Sequence, residues 1–369
     1  MSLSQAFLCA SILIIGCGGS SVGAGSGSFA SGGSSGTTMD SGVHAVVELV
    51  VPPQSCLAEG PGLSDCGSAK ESCCTSLSVT GGTFYRTYAN GGGSVTEEAD
   101  PATVSSFRLD KYAVTVGRFR QFVVAWNNGW MPVAGSGKHI HLNGGLGLAN
   151  VMGGYEPGWV TSDSNFMTSD ALNVSPTNAN LTSCTGGGDI PGFLNYSTWT
   201  ETAGTHENLP IDCVNWFEAY AFCIWDGTAS ASTAIRLQLS GDALDSAGAF
   251  LPSDAEWAYA AAGGSEQREY PWGQTDPGST SQYAIYNCDF PVPGMCLGVS
   301  NIAPVGSAAR GAGRWGQLDL AGNVWQWNLD GYFGYSPCVA KGFRRLQTRE
   351  CLSRGPECCA VTHGAHSPE

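Results

Sequence analysis

Asp319, several backbone carbonyls and Gln326 recur in the tract Leu318-Asp319-Leu320-Ala321-Gly322-Asn323-Val324-Trp325-Gln326-Trp327 at a spacing suited to wrapping a hard cation. A cation such as calcium takes roughly six to eight oxygens at about 2.3–2.6 Å, and charged carboxylates raise its affinity. The rival reading is an unmetallated turn held by Trp325 and Trp327. Lys138-His139-Ile140-His141 offers a second set of donors, two imidazoles on one side of an extended strand, with no carboxylate near in sequence. That pair reads as the start of a metal or ligand site or, more plainly, as a hydrogen-bonded loop. Tyr155, Trp159, Asn215, Trp216, Tyr332 and Phe333 supply groups for a peptide or glycan groove, with core packing as the alternative for most of them.

Fifteen cysteines are many for a thiol-reducing compartment. Cys56, Cys66, Cys73 and Cys74 are spaced to staple a short segment; no Cys-x-x-Cys pair or neighbouring His supports zinc instead. Cys213 and Cys223 lie ten apart around a helix through Trp216, Ala219 and Tyr220. Ten helical residues turn about 1000°, so these two cysteines are expected to reach different partners.

The elements that must position these groups are short. Only 13% of residues are charged while 52 are Gly, which favours turns over long helices and gives a loop-rich α+β chain. Ser253 followed by Glu256 reads as a capping box opening a helix, so Glu256 is expected to be structural rather than a catalytic acid or base. The net charge of -15 argues against a nucleic-acid partner, whose phosphates need a basic face.

The ends carry their own signals. Phe7 to Ile15 is an apolar run too short to span a bilayer, and Ile14-Ile15-Gly16-Cys17 resembles a bacterial lipobox, although no Lys or Arg precedes it. That resemblance implies lipidation at Cys17 and a membrane held through acyl chains. Gly18 after the Cys points by analogy to an outer-membrane or cell-surface lipoprotein. Residues 1–17 are then the signal, 18–43 a Gly/Ser tether, 44–77 a Cys-rich lead segment and 78–340 the main domain. Residues 341–369 hold five of the sixteen Lys and Arg and no Trp or Tyr. A shift of reading frame after Cys338 would account for this tail; a diverged ending is the other reading.

Several motifs fall in one order: Gly81-Gly82-Thr83-Phe84, Asp110-Lys111-Tyr112, Pro210-Ile211-Asp212-Cys213-Val214-Asn215-Trp216, Phe250-Leu251-Pro252-Ser253-Asp254-Ala255-Glu256-Trp257, Tyr270-Pro271-Trp272-Gly273 and Ala303-Pro304-Val305-Gly306. With the 318–327 tract they resemble the sulfatase-modifying-factor family, whose catalytic members are formylglycine-generating enzymes. The resemblance implies a C-type-lectin-like α+β fold. It also implies calcium bound by Asp319, Gly322, Val324 and Gln326 through two side-chain oxygens and two carbonyls, with Gln326 standing where the family usually has Glu. A second family calcium site would use the region of Asn287 and Cys288, but Leu297 occupies its Asp position. The enzymes oxidise a substrate cysteine with O₂ at copper(I) held by two cysteines five apart, and soft thiolates are what copper(I) requires. No such pair is found here, and the family's closing strand, whose Cys bridges to the position of Cys223, is absent unless Cys351, Cys358 or Cys359 substitutes. The expectation is therefore an extracytoplasmic, lipid-anchored binding or scaffold module for a peptide or glycan. The alternative is a formylglycine-generating oxidase using copper. Oligomeric state is not legible.

Overall fold

The computed structural model describes residues 18–19, 52–91, 94–149, 153–167, 175–182, 195–228 and 249–329. Among these residues five strands run β1 Gly18–Gly19, β2 Ser76–Val79, β3 Gly82–Asn90, β4 Val95–Val104 and β5 Phe107–Asp110. The helices are α1 Val116–Asn127, α2 Thr161–Met167, α3 Asn178–Thr182, α4 Trp216–Asp226 and α5 Asp254–Ala261. The strands form an antiparallel sheet of order β1-β5-β2 and a β3-β4 hairpin. The expected loop-rich α+β architecture is what is observed. Among the described residues no helix is long and apolar enough to cross a membrane.

Each longer helix starts where its sequence provides a cap. Thr115 accepts the Arg118 N–H at the head of α1, and Asn215–Glu218 and Ser253–Glu256 form complete capping boxes on α4 and α5. The box expected at Ser253 is thus present, and α4 contains the expected 216–223 run. Cys213 lies before that helix, with a φ of 57°, so the helical rotation between it and Cys223 does not apply. Both cysteines are disulfide-bonded.

Of the four apolar centres among the described residues, two are large. One packs α1 against α4 through Phe119, Phe122, Phe222 and Trp225. The other covers the sheets with α5 through Phe84, Phe107, Leu109, Phe250 and Trp257. The Cys-rich segment pairs as Cys56–Cys74 and Cys66–Cys73, and it is laced onto the first centre by Arg118. That guanidinium is fully buried and meets Asp110 at 2.8 Å and Asp226 at 2.6 Å. Burial opposes its charge, but the two carboxylates raise its pKa well above the usual value.

Candidate functional site

The 319–326 loop is folded around positions only glycine or a strained residue can hold. Asp319 is buried at a φ of 56°, and its Oδ2 accepts the Gly306 N–H at 2.7 Å. Burial pushes its carboxyl up to about 6, partly offset by that N–H. Gly322 has a φ of 82°, and a Cβ there would lie 2.4 Å from the Ile285 carbonyl oxygen, so no side chain fits. Asn323 closes the next turn by donating to the Ala303 carbonyl and accepting the Ala303 N–H, both at 3.0 Å. The Gly322 carbonyl accepts the Val324 N–H at 2.8 Å.

Gln326 meets the Asp319 main chain, and it does so by its nitrogen. Its Nε2 donates to the Asp319 main-chain oxygen at 2.6 Å, while its Oε1 accepts the Trp257 indole N–H at 2.7 Å. An indole N–H only donates and a carbonyl only accepts, so these neighbours fix which end of the amide faces which. In this arrangement Gln326 has no oxygen directed toward Asp319, so its side chain does not fit the ligand role that the resemblance gives it.

Lys138 to His141 is not a strand; the chain turns there, between Gly137 at a φ of 76° and Asn143 at 50°. The two imidazoles nevertheless share one carboxylate. His141 Nε2 lies 3.1 Å from Glu256 Oε1, and His139 Nε2 lies 3.0 Å from Glu256 Oε2. The His139 contact has the distance of an ion pair but not the direction of a hydrogen bond. His139 Nδ1 faces Glu156 at 3.0 Å, and Phe250 packs on both rings. Burial alone would lower the His139 pKa, but Glu256 and Glu156 outweigh it and raise it to about 10. Burial likewise works against the Glu256 charge, yet the two histidines hold its carboxyl well below the usual range. Glu256 also accepts the Ser253 N–H at 2.8 Å, so it serves the helix cap while it balances imidazole charge. His139 and Glu256, at the centre of this cluster, are buried, which suits a structural lock better than proton transfer to a substrate.

The aromatic positions separate. Trp159 is buried against Tyr220 with its indole on Ser164, Asn215 is the α4 cap, and Trp216 donates to the Asn328 carbonyl at 3.1 Å. Tyr155 is exposed, whereas Tyr332 and Phe333 lie outside the described residues, as does Cys17. A cleft of about 370 Å³ opens elsewhere, between the Cys-rich segment, α1 and the 203–207 turn. Glu59, Gln121, Arg120 and Glu207 line it, and Arg120 is locked to Glu207 at 2.7 Å and over the Trp199 ring. No local spacing signals this cleft, because its walls come from three separated stretches. All eight described cysteines are in disulfides; a third pair is Cys288–Cys296, next to the exposed Leu297.

The family described as the sulfatase-modifying factor enzyme 1-like domain matches residues 64–353, most of the chain. The chain belongs to this family. A formylglycine-generating enzyme of Thermomonospora curvata is 27% identical over 240 residues, 62% of this chain and 60% of that protein. A formylglycine-generating enzyme of Streptomyces coelicolor is 34% identical over 139 residues, covering 36% and 37%. The mouse protein named inactive C-alpha-formylglycine-generating enzyme 2 is 29% identical over 142 residues, covering 36% and 38%. The matched stretch is less than two thirds of the length of each relative. The sulfatase-modifying-factor domain and its mixed fold thus stand on the family match and on the observed elements together.

Proposed function

We propose that this chain is an extracytoplasmic binding or scaffold module, anchored by lipid at Cys17, whose sulfatase-modifying-factor domain does not oxidise cysteine. The observation that carries this reading is the state of the thiols. Copper(I) needs thiolate ligands, and the eight described cysteines are committed to disulfides. Of the seven outside the described residues, Cys9, Cys17, Cys184, Cys338, Cys351, Cys358 and Cys359, no two are five apart, the spacing of the copper pair. The same disulfides support an oxidising, extracytoplasmic setting. A family relative whose name calls it inactive supports a noncatalytic use of the domain.

The ligand of this reading is a peptide or glycan seated in the cleft beside Gln121, where carboxylate, amide and guanidinium groups can bond amide or hydroxyl hydrogens and oxygens. The test supplies copper(I), O₂ and a sulfatase-derived cysteine peptide to the full chain and probes for a peptide aldehyde. Binding of peptide and oligosaccharide panels is measured beside it. No aldehyde, together with a ligand lost on Gln121→Trp, is the expected result. An aldehyde formed at many turnovers establishes the oxidase instead.

A further inference from the structure

The Gln326 amide occupies a position with an unusual demand on it. Three stretches meet there: the 303–306 turn, held by Asp319 and Asn323; the 319–326 loop; and α5, which presents Trp257. Something must satisfy the Asp319 main-chain oxygen, and something else the buried indole N–H, because unpaired buried polar groups are costly. A single side chain meets both demands only if it donates at one end and accepts at the other. Gln does so with no net charge. A carboxylate of the same length would still accept from Trp257, but it would turn a second oxygen toward the Asp319 oxygen, and two acceptors repel unless a cation lies between them.

We infer that the Gln326 amide closes this loop in the place of a cation, so that the 303–326 region docks on α5 independently of calcium. The chemistry of one atom decides it: nitrogen, rather than oxygen, faces Asp319. Gln326→Glu should then convert a self-sufficient loop into a calcium-requiring one, and Gln326→Met should weaken it without creating a response to the metal.

The experiment measures the melting temperature of the full chain after chelation and again in millimolar calcium, for the parent and both variants. The parent is expected to show the same value in both conditions. Gln326→Met should melt roughly 2–8 °C lower in both, the size expected for a lost buried amide bridge. Gln326→Glu should melt lower after chelation and recover with calcium. If Gln326→Glu fails to fold, the parent and the Met variant still decide the matter. A parent that loses stability on chelation, regains it with calcium and loses that response in Asp319→Asn overturns the inference; so does a Met variant as stable as the parent.

Discussion

Arg118 and Gln326 each use a planar nitrogen group to tie distant stretches of chain, but one carries charge and the other does not. Arg118 reaches Ser55, Cys73, Asp110 and Asp226 and is fully buried, so it has no water to fall back on. Its two carboxylates share this one cation, so removing Arg118 leaves both of them buried without a counter-charge. Gln326 makes two neutral bonds and exposes nothing comparable when lost. The Cys-rich segment is thus fastened by charge and disulfides, whereas the 319–326 loop is fastened by the directionality of an amide.

The largest expected effect separates these nodes. Arg118→Met should cost about 3–5 kcal/mol in denaturant unfolding, the range for breaking a buried ion pair on one side. A loss below ~1 kcal/mol would erase the distinction. Joint replacement of Arg118, Asp110 and Asp226 by apolar residues of similar volume should recover much of the loss, which would assign the cost to stranded charge rather than to lost packing.

A second expectation concerns pH. Burial raises Asp212 from 3.8 to about 7, with Oδ2 left unpartnered, and raises Glu218 from 4.5 to about 8. Both folded values lie above the unfolded ones. Their stabilising contribution is therefore complete below the unfolded pKa and lost as pH rises through the folded one. His139 adds a loss of the same sign as pH climbs from 6.5 through about 10. Through these groups stability followed by thermal melts should fall as pH rises toward neutral, against the gain that the lowered Glu256 carboxyl contributes as pH rises through 4.5, and Asp212→Asn should remove part of the fall between about pH 4 and 7. Arg118 keeps its charge throughout this window. An Asp212→Asn profile identical to the parent would contradict the assignment.

The smallest effect belongs to the neutral node. Trp257→Phe keeps an apolar ring but removes the donor to Gln326 Oε1, and should cost about 1–3 kcal/mol in the same unfolding measurement. A neutral result would mean that the amide does not depend on the indole.

The parts of this molecule that were legible in the sequence are those written in local spacing. Ser253 and Glu256 are three apart, and the cap follows from that alone. The α4 run and the Cys-rich staple are local in the same way. The Arg118 node was not legible, because Asp226 lies 108 residues away and nothing near Arg118 announces it. The extended reading of 138–141 failed because glycines and an asparagine at positive φ turn the chain around the two histidines, whose carboxylates arrive from Glu156 and Glu256. At Gln326 the spacing offered a ligand set shared with Asp319. It could not say which atom would face it, since that depends on an indole 69 residues earlier.

The most direct test of the noncatalytic reading is a thiol map of the full chain, alkylated under denaturing, nonreducing conditions and digested for mass analysis. Cys56, Cys66, Cys73, Cys74, Cys213, Cys223, Cys288 and Cys296 are all expected to be unlabelled. Labelling of two of these cysteines, accompanied by stoichiometric copper(I) binding that their replacement abolishes, would contradict that reading.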